Sequence, residues 1–134
     1  MTLSQEKGDY LVKSIGIDLV KISRIEKNIG RFGNKLSKKI LGNKELEILS
    51  KRKDKSIFLA GRFAAKEAII KALGYYLTKR PNWSELEILS SQSGVPQVIF
   101  SDNLSCKISG VFCHISITHE KEYAAAVAVI TEPA

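Results

Sequence analysis

A central helix is predicted over residues 56–73, and no other stretch restricts the fold as strongly. Hydrophobic side chains occur there at nearly every helical angle, so other elements must cover the helix on most sides. We expect Ser56 to cap its start and Gly74 to end it. Four charged residues interrupt it, and each needs a partner or an opening to water. At about 100° per residue they form two polar stripes: Arg62 with Lys66, and Glu67 with Lys71.

A half-buried strand is predicted over residues 14–20. Successive side chains of a strand point to opposite faces, so Ile15, Ile17 and Leu19 share one apolar face. Asp18 then points away from that face. We expect the apolar face to be the one that is covered.

The remaining elements are predicted as helices in the first half of the chain and strands in the second. Ser23 and Glu26 have the spacing of a capping box, which indicates a helix start. Two short amphipathic stretches follow at residues 36–41 and 45–49. Alternating or apolar strand patterns occur at residues 86–88, 97–100, 111–118 and 123–130. The pattern predicts an α+β fold with a mostly antiparallel sheet.

Composition limits the classes of protein that fit. The 134 residues, 44% of them hydrophobic, suit one compact domain. We expect no signal sequence and no membrane span, because no apolar run is long enough. The two cysteines, Cys106 and Cys113, lack the spacing of a zinc site or a disulfide framework, which fits the cytoplasm. The net charge of +7 indicates an anionic partner without choosing among nucleic acid, phosphorylated cofactors, acidic proteins and lipid.

Asp18 and Glu67 are the first candidates for chemistry. Two carboxylates that converge on a cleft can hold magnesium, whose other ligands are water and phosphate oxygens. The alternative is structural: Asp18 is a turn residue at a strand end, and Glu67 forms an i,i+4 ion pair with Lys71. The residues alone leave both interpretations open.

Lys71 and His119 form a second candidate group, since an ammonium and an imidazole can both contact phosphate oxygens. For His119, a solvated hairpin position is an equally good interpretation. A third group consists of basic residues on the early helices, which are either a solvated face or a docking surface for an acidic partner: Arg24, Arg31, Lys35, Lys38 and Lys39.

Nucleic-acid binding is the competing function from a different class, and only the charge supports it. The aromatic residues are not interleaved with lysine and arginine along any predicted strand, as a stacking platform would require. Glycine-rich phosphate loops and the HExxH and GxSxG patterns are also absent from the sequence.

Three segments together resemble the holo-[acyl-carrier-protein] synthase family of phosphopantetheinyl transferases. They are Gly16-Ile17-Asp18 with the following Arg24-Ile25, residues 58–68 (FLAGRFAAKEA), and residues 114–119 (HISITH) leading into 123–126 (YAAA). Their order and spacing agree with the family from about residue 16 to residue 130. We therefore divide the chain into an N-terminal extension, residues 1–13, and one transferase domain, residues 14–134.

The resemblance implies a fold, partners and roles for particular residues. The fold is a small α+β protomer that forms a homotrimer, with coenzyme A between subunits. Asp18 and Glu67 would hold magnesium against the pyrophosphate, and Lys71 would neutralise phosphate charge. Further coenzyme A contacts are implied for Gly74, Pro96, Thr118 and His119, the last two from the adjacent protomer. Arg24 and Arg31 would receive the acidic helix of acyl carrier protein.

The activity implied is transfer of phosphopantetheine from coenzyme A to a carrier serine, in fatty acid biosynthesis. Glu67 is the first candidate for the general base, and a base from the carrier protein is the alternative. A catalytically inactive scaffold is disfavoured, because Asp18, Glu67 and Lys71 are all present. Two positions depart from the family: Gly74-Tyr75-Tyr76 replaces a Gly-Thr-Gly turn, and Gly94-Val95-Pro96 replaces Gly-Lys-Pro. The second removes a positive charge, so we expect coenzyme A binding to be weaker or to rely on other lysines.

Overall fold

The computed structural model describes residues 8–134 and has the predicted α+β class. Strand β1 (Tyr10–Lys21) leads into helices α1 (Ile22–Phe32), α2 (Lys35–Ile40), α3 (Asn43–Ser50) and α4 (Lys55–Leu73). A 3-10 turn, Trp83–Glu85, precedes strands β2 (Leu86–Ser90) and β3 (Pro96–Phe100). Helix α5 (Asp102–Lys107) and strands β4 (Phe112–His119) and β5 (Tyr123–Pro133) complete the chain. Within the described residues, no helix is long and apolar enough to cross a membrane.

The main sheet has three antiparallel strands in the order β1-β5-β4, and helix α4 packs against one face of it. This contact depends on small residues. A Cβ atom placed on Gly16 would lie 1.9 Å from the carbonyl oxygen of Ala68, so only glycine permits the observed approach. The hydroxyl of Ser14 also donates to the carbonyl of Ala72 at 2.7 Å. Strands β2 and β3 form a separate antiparallel hairpin.

The predicted alternation of β1 is confirmed, but the expectation about which face is covered is wrong. Ile15, Ile17 and Leu19 are 64%, 67% and 64% exposed. The opposite face, with Gly16 and Asp18, lies against α4, because its small residues let the helix come close. The sheet therefore presents to solvent, in the single chain, a face that is apolar on β1 and β5, whereas on β4 the polar His114, Ser116 and Thr118 share it with Phe112. We call the outer face the following set of side chains: Ile15, Ile17, Leu19, Phe112, Val127 and Val129.

The strand predicted to begin at residue 14 begins at Tyr10, inside the segment that we predicted as an extension. Tyr10 pairs with Pro133, and the backbone N–H of Ala134 donates to the carbonyl of Asp9 at 2.8 Å. A bulge between Val12 and Ser14 shifts the register. Residues 1–7 of the predicted extension lie outside the described residues.

The two predicted helix caps are wrong. Helix α1 begins at Ile22 without a side-chain cap, because the N–H of Ile22 instead donates to the carbonyl of Glu122 at 2.9 Å. Helix α4 follows Asp54 and likewise has no side-chain cap. Its end before Gly74 agrees with the prediction, although the backbone of this glycine has the right-handed helical conformation, with φ of −57°. Helix α5 was not predicted.

Candidate functional site

Lys71 joins the central helix to the first strand at an opening to solvent. Its Nζ donates to Oδ1 of Asp18 and to the carbonyl oxygen of Ile17, both at 3.0 Å. The Lys71 side chain is 54% exposed, and that of Asp18 is 17% exposed. The contact exists because Asp18 lies on the face of β1 that meets α4. An exposed positive charge and a carboxylate are therefore adjacent at the surface.

Glu67 lies one helical turn before Lys71 but does not form the i,i+4 ion pair of the structural alternative. Its Oε2 accepts from the indole Nε1 of Trp83 at 2.7 Å and from Nη2 of Arg80. Both partners come from the segment between α4 and β2. Residues four apart on a helix have Cβ atoms about 5–6 Å apart, so Glu67 and the Lys71–Asp18 pair share one region of the surface.

Asp18 and Glu67 each keep one carboxylate oxygen available. Oδ2 of Asp18 and Oε1 of Glu67 make no hydrogen bond within residues 8–134. Hard anionic oxygens with free lone pairs are the ligands that magnesium prefers. No group of three or more metal-ligating side chains occurs in the same residues. Two carboxylates alone are too few ligands for a magnesium ion, so an ion held here would need to take its remaining oxygens from phosphate and water.

A buried ion pair supports the helix beneath this region. Lys66 is fully buried, and its Nζ donates to Oε1 of Glu45 at 2.6 Å, to the carbonyl of Ile40 at 2.7 Å and to that of Trp83 at 3.3 Å. Burial lowers the pKa of Lys66, and the negative charge of Glu45 opposes that shift. The partner that the sequence required for Lys66 is thus Glu45.

Arg62, on the same polar stripe of α4, interacts with Glu45 less closely than Lys66 does. Its Nε is 3.8 Å from Oε2 of Glu45 and is a buried atom without a hydrogen bond in the described part of the chain. The guanidinium lies over the ring of Phe58, 4.6 Å from its centroid. Burial lowers the pKa of Arg62. One donor of this cation is therefore left without an acceptor.

The other predicted coenzyme A contacts lie elsewhere on the single chain. Thr118 and His119 end strand β4 and are exposed, and Pro96 begins β3 in the second sheet. Gly74 follows α4, three residues after Lys71. Within residues 8–134, Pro96, Thr118 and His119 make no hydrogen bond to Asp18, Glu67 or Lys71, and Gly74 reaches Lys71 only through its backbone N–H, which donates to the Lys71 carbonyl at 3.2 Å. Within one chain, Asp18 thus contacts Lys71, and Glu67 lies one helical turn away on α4.

Arg24 and Arg31 lie on α1 and are both exposed. Seven residues correspond to about two helical turns, so the two guanidinium groups share a face. Ile22 and Ile25 anchor the opposite side in the core. Arg31 also lies over the ring of Phe32, 5.2 Å from its centroid. The helix therefore presents an outward basic face.

Comparison with known proteins assigns this arrangement to a family. The sequence model of the 4'-phosphopantetheinyl transferase superfamily matches residues 14–128. The holo-[acyl-carrier-protein] synthase of Herminiimonas arsenicoxydans is 39% identical over 127 residues, which cover 90% of this chain and 98% of the relative. The chain belongs to the 4'-phosphopantetheinyl transferase superfamily. The synthase of Chlorobaculum tepidum is also 39% identical, over 89% of this chain and 97% of its own.

Solved structures of the family share the fold. The holo-[acyl-carrier-protein] synthase of Helicobacter pylori, in complex with coenzyme A, has a TM-score of 0.76 and 34% identity over 87% of this chain and 98% of its own. The synthase of Neisseria meningitidis has a TM-score of 0.81 and 28% identity over 90% of this chain and 98% of its own. The chain is therefore a phosphopantetheinyl transferase by sequence and by fold.

Sequence reasoning did not identify Trp83 and Arg80 as partners of Glu67. The available signals were the single tryptophan of the chain and a nearby arginine, both placed just before a predicted strand. Neither has a spacing to Glu67 that local helix geometry would predict.

Proposed function

We propose that the chain transfers the 4'-phosphopantetheine group of coenzyme A to a serine of apo acyl carrier protein. The products are holo acyl carrier protein, for fatty acid biosynthesis, and adenosine 3',5'-bisphosphate. The observation that carries this proposal is the match to relatives named for this synthase over 98% of the length of one of them. Coenzyme A as substrate is supported by the complexes solved for the Helicobacter pylori and Bacillus anthracis enzymes.

In this reaction the serine oxygen forms a bond to the β-phosphorus of coenzyme A. The bond from that phosphorus to the leaving bisphosphate breaks, and the serine proton passes to a base. Such transfers depend mainly on alignment and on neutralising phosphate charge. Lys71 suits the second task, because its ammonium is half exposed and already held at 3.0 Å from Asp18.

Asp18 and Glu67 are the residues that we assign to magnesium. The support is their free carboxylate oxygens, on a strand and a helix that Lys71 connects. When bound, magnesium supplies positive charge for the diphosphate and the departing bisphosphate. Glu67 stays the first candidate for the base that takes the serine proton.

The nucleotide end of coenzyme A is assigned to Gly74, Pro96, Thr118 and His119. The exposure of Thr118 and His119 at the end of β4 supports contacts from a neighbouring protomer. The acidic helix of the carrier protein is assigned to Arg24 and Arg31, because complementary charge increases association rates and orients the partner.

We assign a homotrimer to the working enzyme, and the exposed outer face supports it. Large apolar residues that are exposed together on one strand, as Ile15, Ile17 and Leu19 are on β1, are typical of an interface between subunits. The cytoplasm is the assigned location, and the two cysteines are unpaired. Burial raises the pKa of Cys113 to about 12, so this thiol is a poor nucleophile at neutral pH.

The decisive experiment is mass spectrometry of an apo acyl carrier protein incubated with this chain, coenzyme A and magnesium. We expect the carrier mass to increase by one phosphopantetheine group, on its serine. An unmodified carrier protein would overturn the assignment, and tight, salt-dependent nucleic-acid binding in addition would favour the competing function.

A further inference from the structure

The single tryptophan of the chain contacts the carboxylate that we assign to magnesium. Nε1 of Trp83 donates to Oε2 of Glu67 at 2.7 Å. An indole N–H is a donor only, so it fixes an acceptor and cannot itself replace a metal ligand. Because Trp83 uses Oε2, Oε1 is the oxygen of Glu67 left for another partner. A hydrogen bond to one oxygen also fixes the plane of the carboxylate.

Two contacts to the ring and one to the backbone hold Trp83 in place. The ring meets Phe63 edge to face, with centroids 5.5 Å apart and planes at 76°. The backbone carbonyl of Trp83 accepts from the buried Nζ of Lys66 at 3.3 Å, and Lys39 lies 5.9 Å from the ring centroid. Phe63, Lys66 and Glu67 all belong to α4. Helix α4 therefore positions both the indole donor and the carboxylate that it contacts.

Arg80 contacts the same oxygen but is held far less firmly. Its side chain is 54% exposed, and its only other described interaction is with the Trp83 ring, 5.9 Å from the centroid. A solvent-exposed arginine exchanges partners easily, since surface ion pairs are weak. The Trp83 indole cannot turn away from Glu67 without losing its edge-to-face contact with Phe63, and the bond from Lys66 fixes the backbone from which the indole projects. Of the two partners of Glu67, Trp83 is therefore held more firmly than Arg80.

We infer that Trp83 is a positioning residue, whose indole N–H holds Glu67 in the orientation that binds the divalent cation. The inference rests on the proposed function. Groups that hydrogen-bond to metal ligands fix ligand orientation, and their loss typically weakens metal binding by about 10- to 100-fold. Trp83 acts through Glu67 and touches no reacting atom.

The first test uses the native fluorescence of Trp83, which no other tryptophan obscures. With coenzyme A present, titration with Mg²⁺ should change indole emission along a saturable curve. Sodium chloride at matched ionic strength should not reproduce the change, and Glu67→Gln should abolish it. An emission spectrum that is indifferent to Mg²⁺ while the enzyme turns over would overturn the inference.

The second test removes only the N–H donor. Because residue 83 is the only tryptophan, growth of a tryptophan auxotroph on benzothienylalanine replaces this indole alone with a sulfur isostere of the same shape. We expect the calorimetric dissociation constant for Mg²⁺, measured with coenzyme A, to rise by about 10-fold. The melting temperature should be unchanged, and turnover should recover at high Mg²⁺. Trp83→Phe provides a second variant that keeps an aromatic ring against Phe63.

The two possible failures are distinguishable. Absence of carrier modification by the unaltered chain contradicts the proposed function. Normal modification combined with unchanged Mg²⁺ affinity in the isostere contradicts the role of Trp83 alone. A fall in turnover that saturating Mg²⁺ does not restore, with an unchanged Mg²⁺ dissociation constant, also rejects the positioning role.

Discussion

At the residue scale, Asp18 and Glu67 carry the most specific prediction. Asp18→Asn and Glu67→Gln keep the size of each side chain but remove its charge. We expect either change to lower the rate of carrier modification by roughly 100-fold or more, a typical loss for a group that stabilises charge in the transition state. Modification rate by mass spectrometry and thermal unfolding should be measured together.

Glu47→Gln is the matched control for these two changes, because Glu47 is an exposed carboxylate on α3, remote in sequence from both. It should leave the rate unchanged. Full activity in Asp18→Asn or Glu67→Gln would remove that residue from the site.

Tyr76 gives a prediction about pH. Desolvation and a hydrogen bond to Glu132 raise the pKa of Tyr76 from 10.0 to about 12. A raised pKa in the folded state stabilises the fold fully below about pH 10, and this contribution is lost as the pH rises through about 12. Absorbance titration at the tyrosinate band should show one tyrosine ionising last, and Tyr76→Phe should remove that step. An unchanged titration curve in the variant would reject the assignment.

At the element scale, Glu45 connects α3, α4 and β2. Its carboxylate accepts from Lys66, from the N–H of Gly42 at 3.0 Å and from the N–H of Ile88 at 3.0 Å. Glu45→Gln leaves a buried lysine without its countercharge, and breaking such a pair costs about 3–5 kcal/mol in unfolding free energy. Urea denaturation measures this loss. Glu45→Gln combined with Lys66→Met should recover part of it, and a stable single variant would contradict the network.

The basic face of α1 is the element that we expect to set carrier affinity. Arg24→Glu and Arg31→Glu should each raise KM for the carrier protein while leaving kcat nearly unchanged, since charge complementarity acts on encounter and orientation. Added salt should reduce the difference from the unaltered chain. Steady-state kinetics at two salt concentrations measure both effects. Lys53→Glu, a charge reversal in the loop before α4, serves as the control. An equal effect of this change on KM would reject a localised docking face.

Local patterns sufficed for some elements and not for others. The period of β1 and the all-round apolarity of α4 are properties of consecutive residues, so both were predictable. The start of α1 was not, because its first N–H is satisfied by Glu122, about a hundred positions away. The same reason explains the missed partners of Glu67: Trp83 and Arg80 reach it from a loop. The roles of the site residues themselves stay predictions.

At the scale of the whole molecule, the outer face predicts the assembly. Ile17 is 67% exposed at the middle of this face, and Ile17→Lys would place a charge in the proposed subunit contact. We expect light scattering to show a trimer for the unaltered chain and a monomer for the variant, with carrier modification strongly reduced. Ile99→Lys, on β3 and outside the outer face, should leave both properties intact. A trimeric Ile17→Lys variant would refute this interface.

Assembly through the outer face would also make the amount of protein a determinant of its activity. If completed sites require neighbouring copies, dissociation follows the law of mass action, and the folded state gains stability as copies associate. Rate per chain should therefore fall on strong dilution instead of remaining constant, and recover on reconcentration. A cell that makes little of this enzyme would then lose proportionally more of its catalytic capacity than of the polypeptide.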